Sequence, residues 1–135
     1  GNLHLSVLPF LSQEDYDHLL WCCDFNVVRG EDSFVRAQWA GRPFLWQPYP
    51  QAADIHIEKL EAFLNLYCQG LSPAAGRGLR ELSLAWSTGQ TVEQAWSLVA
   101  HESVELSRHA EDWCDLQAAR INISQAVVNF YRNWI

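Results

Sequence analysis

Apolar and polar positions alternate from Leu3 to Val7, with His4 and Ser6 between Leu3, Leu5 and Val7, and the run then enters Leu8-Pro9-Phe10. Strict alternation predicts a short strand, and the proline predicts the loop that ends it. Ser12 stands where a helix cap belongs. Asp15 occupies the reciprocal third position, and the acids Glu14 and Asp15 suit the positive end of a first turn, so a helix is expected from there to about Leu20. Cys22 to Val28 is a mostly apolar run of strand length. After Arg29-Gly30 the period changes, and Phe34, Val35, Gln38 and Trp39 recur at helical spacing up to Gly41, a glycine placed just past the helix end, with Pro43 as a stop. Phe44-Leu45-Trp46 predicts a third short strand, and Pro48 and Pro50 turn Gln47 to Ala53 into an irregular loop.

From Asp54 onward only helical periods remain. Ile57, Leu60, Phe63, Leu64 and Tyr67 mark one helix up to Gly70; Ser72-Pro73 opens another, in which Gly76 and Gly78 weaken the first turn before Leu79, Leu82 and Trp86. Thr91 and Gln94 predict a capping box for the next, and Trp113, Leu116, Ile123, Val127, Phe130 and Trp134 continue an apolar face with a break near Asn122 to Ser124. Strands alternating with helices predict parallel βαβ units, hence an α/β fold of the doubly wound kind with a helix-rich second half. Three strands fall short of the five or six of an ordinary sheet, so further strands are expected ahead of Leu3 in a longer parent protein.

Composition supports that expectation. With 135 residues, 49% hydrophobic, the chain is sized for one folded domain, yet it contains no methionine and so reads as a piece of something longer, with Gly1-Asn2 a cut end or scar. Nine basic against sixteen acidic side chains, a net charge of -7, and the lack of any Lys/Arg-rich block disfavour nucleic acid as a partner. No stretch approaches the roughly 18 apolar residues of a membrane span, and a soluble location is expected. The four cysteines, Cys22, Cys23, Cys68 and Cys114, have neither CxxC spacing nor a disulfide pattern and read as buried reduced thiols of a cytosolic protein. The five histidines lack paired metal spacing, and the seven tryptophans, mostly on stripes, read as core.

Candidate chemistry gathers at Asn26 to Arg36, where a buried strand stops and Arg29, Gly30, Glu31, Asp32 and Ser33 form the turn into a helix. Ligands of open α/β sheets bind outside the carboxyl ends of the strands. A helix start offers free N–H groups, Gly30 lets a phosphate approach the backbone, and Arg29 adds a planar fork for its oxygens. The plain alternative is that Glu31, Asp32 and Ser33 only cap the helix and Arg29 pairs with one of them. Phe10, Gln13 and Tyr16 open at the first such turn and could offer rings and an amide to a nucleobase, and Tyr49 and Gln51 could converge on the same crevice from the proline-bent loop.

The run Val28-Arg-Gly-Glu-Asp-Ser-Phe-Val-Arg-Ala-Gln-Trp-Ala-Gly-Arg-Pro-Phe-Leu-Trp-Gln, followed by Tyr49-Pro50-Gln51, closely resembles the bacterial protein-arginine rhamnosyltransferases of translation elongation factor P, the EarP family. Leu8-Pro-Phe, Gln13 to Leu20 and the helical tail are similar to that family too, so the resemblance covers the chain as a carboxyl-terminal part. It implies the Rossmann-like second domain of a GT-B glycosyltransferase, spanning residues 1–135 and holding dTDP-β-L-rhamnose. Transfer would go to an arginine of elongation factor P in the cytoplasm, with no metal or other cofactor. By motif, Phe10, Gln13 and Tyr16 would line the thymine and nucleoside end, Arg29, Asp32, Ser33 and Tyr49 would hold the diphosphate and deoxyribose, Gln51 would border them, and Glu31 would be the catalytic-side carboxylate. The family's general-base aspartates belong to an amino-terminal domain that this sequence does not contain, so the chain alone should lack full catalysis. Two other readings stay open on the residues alone: a GT-B donor domain for another sugar or acceptor, and a helical interaction module.

Overall fold

The computed structural model describes residues 3–120 and 122–134, so Gly1 and Asn2 lie outside it. Ser12 caps α1 (Gln13–Cys22) as its pattern predicts: its Oγ accepts from the Asp15 N–H at 3.1 Å and donates to the Asp15 carboxylate at 2.7 Å. The helix runs past Leu20 to Cys22, and the strand expected from Cys22 starts only at Asn26. β1 (Asn26–Arg29), α2 (Glu31–Trp39) and β2 (Phe44–Gln47) form one parallel βαβ unit in which Asn26 pairs with Phe44 and Arg29 with Gln47. Gly41 takes a φ of 62° just beyond the C-cap Ala40, the position its sequence context assigns it.

The strand expected at Leu3 to Val7 does not form. A strand needs a ladder partner, and the sheet among the described residues consists of β1 and β2 alone, each hydrogen-bonded to the other. Leu3, Leu5 and Val7 are instead more than four-fifths exposed, and no regular element precedes α1 among the described residues. The doubly wound sheet expected from the sequence is thus, among the described residues, a two-stranded parallel sheet wrapped by helices.

Five further helices follow a short 3₁₀ turn at Ala52–Asp54: α3 (Ile55–Tyr67), α4 (Pro73–Thr88), α5 (Glu93–His101), α6 (Ser103–Ala118) and α7 (Ile123–Trp134). Ser72 caps α4 through the Ala75 N–H. Gly78, which weakens the helix locally, is needed where α4 meets α5: a Cβ there would lie 3.0 Å from the Leu98 Cβ and 3.4 Å from the Val99 nitrogen. The Thr91–Gln94 box is not made. Val92, packed on the core, is the N-cap of α5, and its carbonyl accepts the Trp96 N–H, which leaves the Thr91 hydroxyl one residue too early. The break at Asn122 is present, with the Asn122 side chain accepting the Gln125 N–H at 2.9 Å.

The core sits where α2 and α4 pack on β2, with α3 and α6 adding aromatic rings to it. Phe34 stacks on Trp46 with centroids 4.1 Å apart, Phe63 meets Phe34 edge-on at 4.8 Å, and Tyr67 joins Phe63, His109 and Trp113. Each such pair contributes about 0.5–1.5 kcal/mol beyond its buried area. Trp46 is the buried tryptophan of the seven; Trp113 packs at the margin, and Trp21, Trp39, Trp86, Trp96 and Trp134 are more than two-fifths exposed, which corrects the reading of tryptophan as core. The cysteines are free, but Cys22 is exposed and Cys23, Cys68 and Cys114 are only half-buried. No described helix is long and apolar enough to cross a membrane.

Candidate functional site

The turn from β1 into α2 is built by three residues that hold Gly30. Its N–H donates to the Gln47 carbonyl at 3.2 Å, and its own carbonyl accepts the indole N–H of buried Trp46 at 3.0 Å. Gly30 takes φ 79° and ψ -179°, a conformation open essentially to glycine alone. The ring of Tyr49 covers it: a Cβ at Gly30 would stand 2.7 Å from Tyr49 Cε2. Trp46 was not marked by sequence as a site residue, because a buried aromatic in a strand carries the signal of core and not of turn support.

Gly30 is the N-cap of α2 and supplies no side-chain cap, so the first turn presents its N–H groups without a side-chain partner. Glu31 and Asp32 occupy the first turn but neither caps it. Arg29 makes no carboxylate pair among the described residues and instead lays its guanidinium over the Tyr49 ring, 5.1 Å from the centroid. The cation at the end of β1 therefore stays available to an anion, held by a ring in place of a counter-charge.

On the other side of this turn, α1 and α2 enclose a groove of about 480 Å³. Phe10, Gln13 and Tyr16 line it from the α1 side, and Asp32, Ser33 and Arg36 from α2. The structure so brings together five of the residues singled out by sequence, with Arg29 and Tyr49 meeting at the same β1–α2 turn. Phe10 stands fully exposed on the approach, and Tyr16 is partly buried against the core. Arg29, Glu31, Tyr49 and Gln51 are not among the residues that line the groove; Gln51 is exposed, and its backbone N–H donates to His56 Nδ1 at 3.3 Å.

Arg36 is the groove residue that sequence reasoning passed over. Its Nη1 bonds both Asp17 carboxylate oxygens at 2.9 and 2.8 Å, and its Nε bonds Asp32 at 3.0 Å. The two carboxylates raise its pKa further, Asp17 first. The i,i+4 spacing of Asp32 and Arg36 was readable; the Asp17 contact across 19 positions was not.

A larger cavity of about 550 Å³ lies at the opposite, amino-terminal end of the strands, lined by Phe25, Pro43, Trp96 and Val99. It is mostly apolar and remote from the β1–α2 turn. The groove between α1 and α2 lies beside the first turn of α2, whose start carries no side-chain cap.

Residues 1–132 match the family model of the elongation factor P rhamnosyltransferase EarP. A protein-arginine rhamnosyltransferase of Pseudomonas aeruginosa is 50% identical over 133 residues, covering 98% of this chain and 35% of that protein, and one of Neisseria meningitidis serogroup B is 37% identical over 118 residues. The chain thus spans about a third of the length of the curated relatives it matches. A solved structure described as the structural basis for EarP-mediated arginine glycosylation of translation elongation factor EF-P superposes with a TM-score of 0.81 at 46% identity, covering all of this chain and 46% of that one. With the family model matched almost end to end and the fold shared, the chain belongs to the EarP family of elongation factor P rhamnosyltransferases.

Proposed function

We propose that this chain is the donor-binding domain of a GT-B protein-arginine rhamnosyltransferase, and that its α1–α2 groove takes dTDP-β-L-rhamnose. The observation that carries the reading is the β1–α2 turn: a helix start without a side-chain cap and an arginine without a carboxylate partner among the described residues meet at the carboxyl end of a parallel strand. In this reading the diphosphate lies against the first turn of α2 and Arg29, with Ser33 beside it. Gln13, Tyr16 and Phe10 receive the thymine, Asp32 accepts hydrogen bonds from the deoxyribose, and Tyr49 and Gln51 border the site. Arg29 and the helix start neutralise the anion, so donor binding needs no divalent metal and persists in EDTA.

The reaction is an inverting displacement. A nitrogen of the acceptor arginine on elongation factor P attacks the anomeric carbon, the bond from that carbon to the diphosphate oxygen breaks, and dTDP leaves with the electron pair while the nitrogen gives its extra proton to a carboxylate. Guanidinium is protonated and a poor nucleophile at neutral pH, so a carboxylate must hold it and localise its charge. Glu31, exposed at the first position of α2, is the group of this chain assigned that role, and Arg29 with the α2 N–H groups stabilises the departing diphosphate. The general base and the rest of the cleft belong to an amino-terminal domain, and the enzyme works in the cytoplasm on its acceptor protein.

Titration calorimetry with dTDP and dTDP-rhamnose, beside a mass-shift assay of elongation factor P with the full-length enzyme, tests this. Binding in the micromolar to millimolar range, unaltered by EDTA, is expected. Absence of heat at millimolar dTDP with folded protein removes the groove assignment. Donor competition with other nucleotide sugars decides whether rhamnose is the sugar.

A further inference from the structure

We propose that Arg36 is the positioning residue of this groove: bridging Asp17 of α1 to Asp32 of α2, it sets the separation of the two helices and orients the Asp32 carboxylate. The inference rests on the proposed donor reading of the groove. α1 is anchored chiefly at its carboxyl end, where Leu20 is its buried residue, the Leu20 carbonyl accepts the Asn26 amide at 3.0 Å, and the Trp21 carbonyl accepts the Arg42 Nε–H at 3.0 Å. Its amino-terminal half carries Gln13 and Tyr16. There, besides the packing of Tyr16, the tie across to α2 is the grip of Arg36 on Asp17.

The geometry uses the fork of arginine. Nη1 engages both oxygens of one carboxylate while Nε engages the other, so one planar group fixes two acids on two helices in a single arrangement. A lysine, a point charge on a flexible stem, cannot hold both in fixed directions. Asp32 itself is 78% exposed, and an exposed i,i+4 pair stabilises a helix only weakly. What the contact does secure is the direction of a carboxylate that would otherwise sample several rotamers at the mouth of the groove. Arg36 thus acts through Asp32 and α1, without having to touch the nucleotide.

The test is a double-mutant cycle in the full-length enzyme, read by dTDP calorimetry, donor KM and kcat, and melting temperature. Arg36→Met and Asp32→Asn are each expected to weaken dTDP by about tenfold, the scale of one charge-assisted hydrogen bond. The double variant should be no weaker than Asp32→Asn alone, and donor KM should rise in step with the loss of dTDP affinity. Arg36→Lys should recover only part of the affinity, and Asp17→Asn, which leaves the Asp32 pair in place, should lose about threefold. If Asp32→Asn weakens dTDP and Arg36→Met does not, the positioning role is overturned while the donor reading stands. Additive losses overturn it as well, because Arg36 would then bind the nucleotide on its own. If Asp32→Asn has no effect, Asp32 leaves the donor site and the proposal falls with it. Should Arg36→Met fail to fold, Arg36→Lys combined with Asp32→Asn gives the same cycle.

Discussion

The Arg29 guanidinium rests over the ring of Tyr49, 5.1 Å from its centroid, and the same ring closes over Gly30 between Arg29 and the first turn of α2. Tyr49 reaches this place from the loop after β2, so the pairing of β1 with β2 sets the cation's position. An aromatic face restrains the guanidinium without neutralising it, which suits the anion-holding role proposed for it.

Arg29→Ala should weaken dTDP binding by about 1.5–3 kcal/mol, the range of hydrogen bonds to charged groups, with an unchanged melting temperature because the side chain is exposed. Tyr49→Ala should cost less, about 0.5–1 kcal/mol, since it removes only the restraint. Calorimetry beside thermal unfolding checks both. A collapse of the melting temperature in Arg29→Ala would make Arg29 a structural group.

Gly30→Ala meets two obstacles: a backbone conformation that other residues rarely adopt and a ring 2.7 Å from the new Cβ. The strain alone is about 1–3 kcal/mol. Urea unfolding should show that loss, and dTDP affinity should fall as Tyr49 is pushed from Arg29. Unaltered stability and affinity together would contradict the geometry.

Glu31→Gln separates a helix-end carboxylate from a catalytic one. A first-turn acid contributes about 0.3–1 kcal/mol to stability and nothing to turnover. As the group that holds the acceptor guanidinium, its loss should lower kcat of the full-length enzyme by roughly a hundredfold or more while dTDP affinity barely changes. Mass-shift rhamnosylation of elongation factor P measures it, and near-normal turnover would return Glu31 to the helix end.

Glu105 gives a pH-dependent contribution far from the groove. Its carboxylate accepts the Ser72 N–H at 2.6 Å and the Ser72 hydroxyl at 2.8 Å, tying α6 to the cap of α4, and these bonds hold its pKa below the usual range. A depressed folded pKa adds stability that is complete above the ordinary glutamate value of about 4.3 and is lost as pH falls through the lower folded value. Glu105→Gln should therefore melt earlier than the parent at pH 7, with the gap closing below about pH 4. A gap constant with pH would place the effect in packing and not in the charge.

Local chemistry was enough to write the βαβ unit from its sequence. Ser12 with Asp15, Ser72 before Pro73, Gly41 past the end of α2 and the change of period after Arg29 each act within a few residues, and each appears in the structure where its pattern places it. The turn at Arg29 to Ser33 is there as well, but Gly30 does not open its backbone to an approaching phosphate: it is buried under the Tyr49 ring, with its N–H and carbonyl bonded to Gln47 and Trp46. Features that depend on a partner elsewhere in the chain were not legible. Leu3 to Val7 has the alternation of a strand but no ladder to join among the described residues, and five tryptophans on apolar stripes lie where their helices face outward. Trp46 supports Gly30 across 16 positions and Asp17 grips Arg36 across 19. Periodicity tells which face of an element is apolar, but only the packing of elements decides what that face meets, and so the tertiary structure alone made a groove of α1 and α2 and gave Arg36 its place in it.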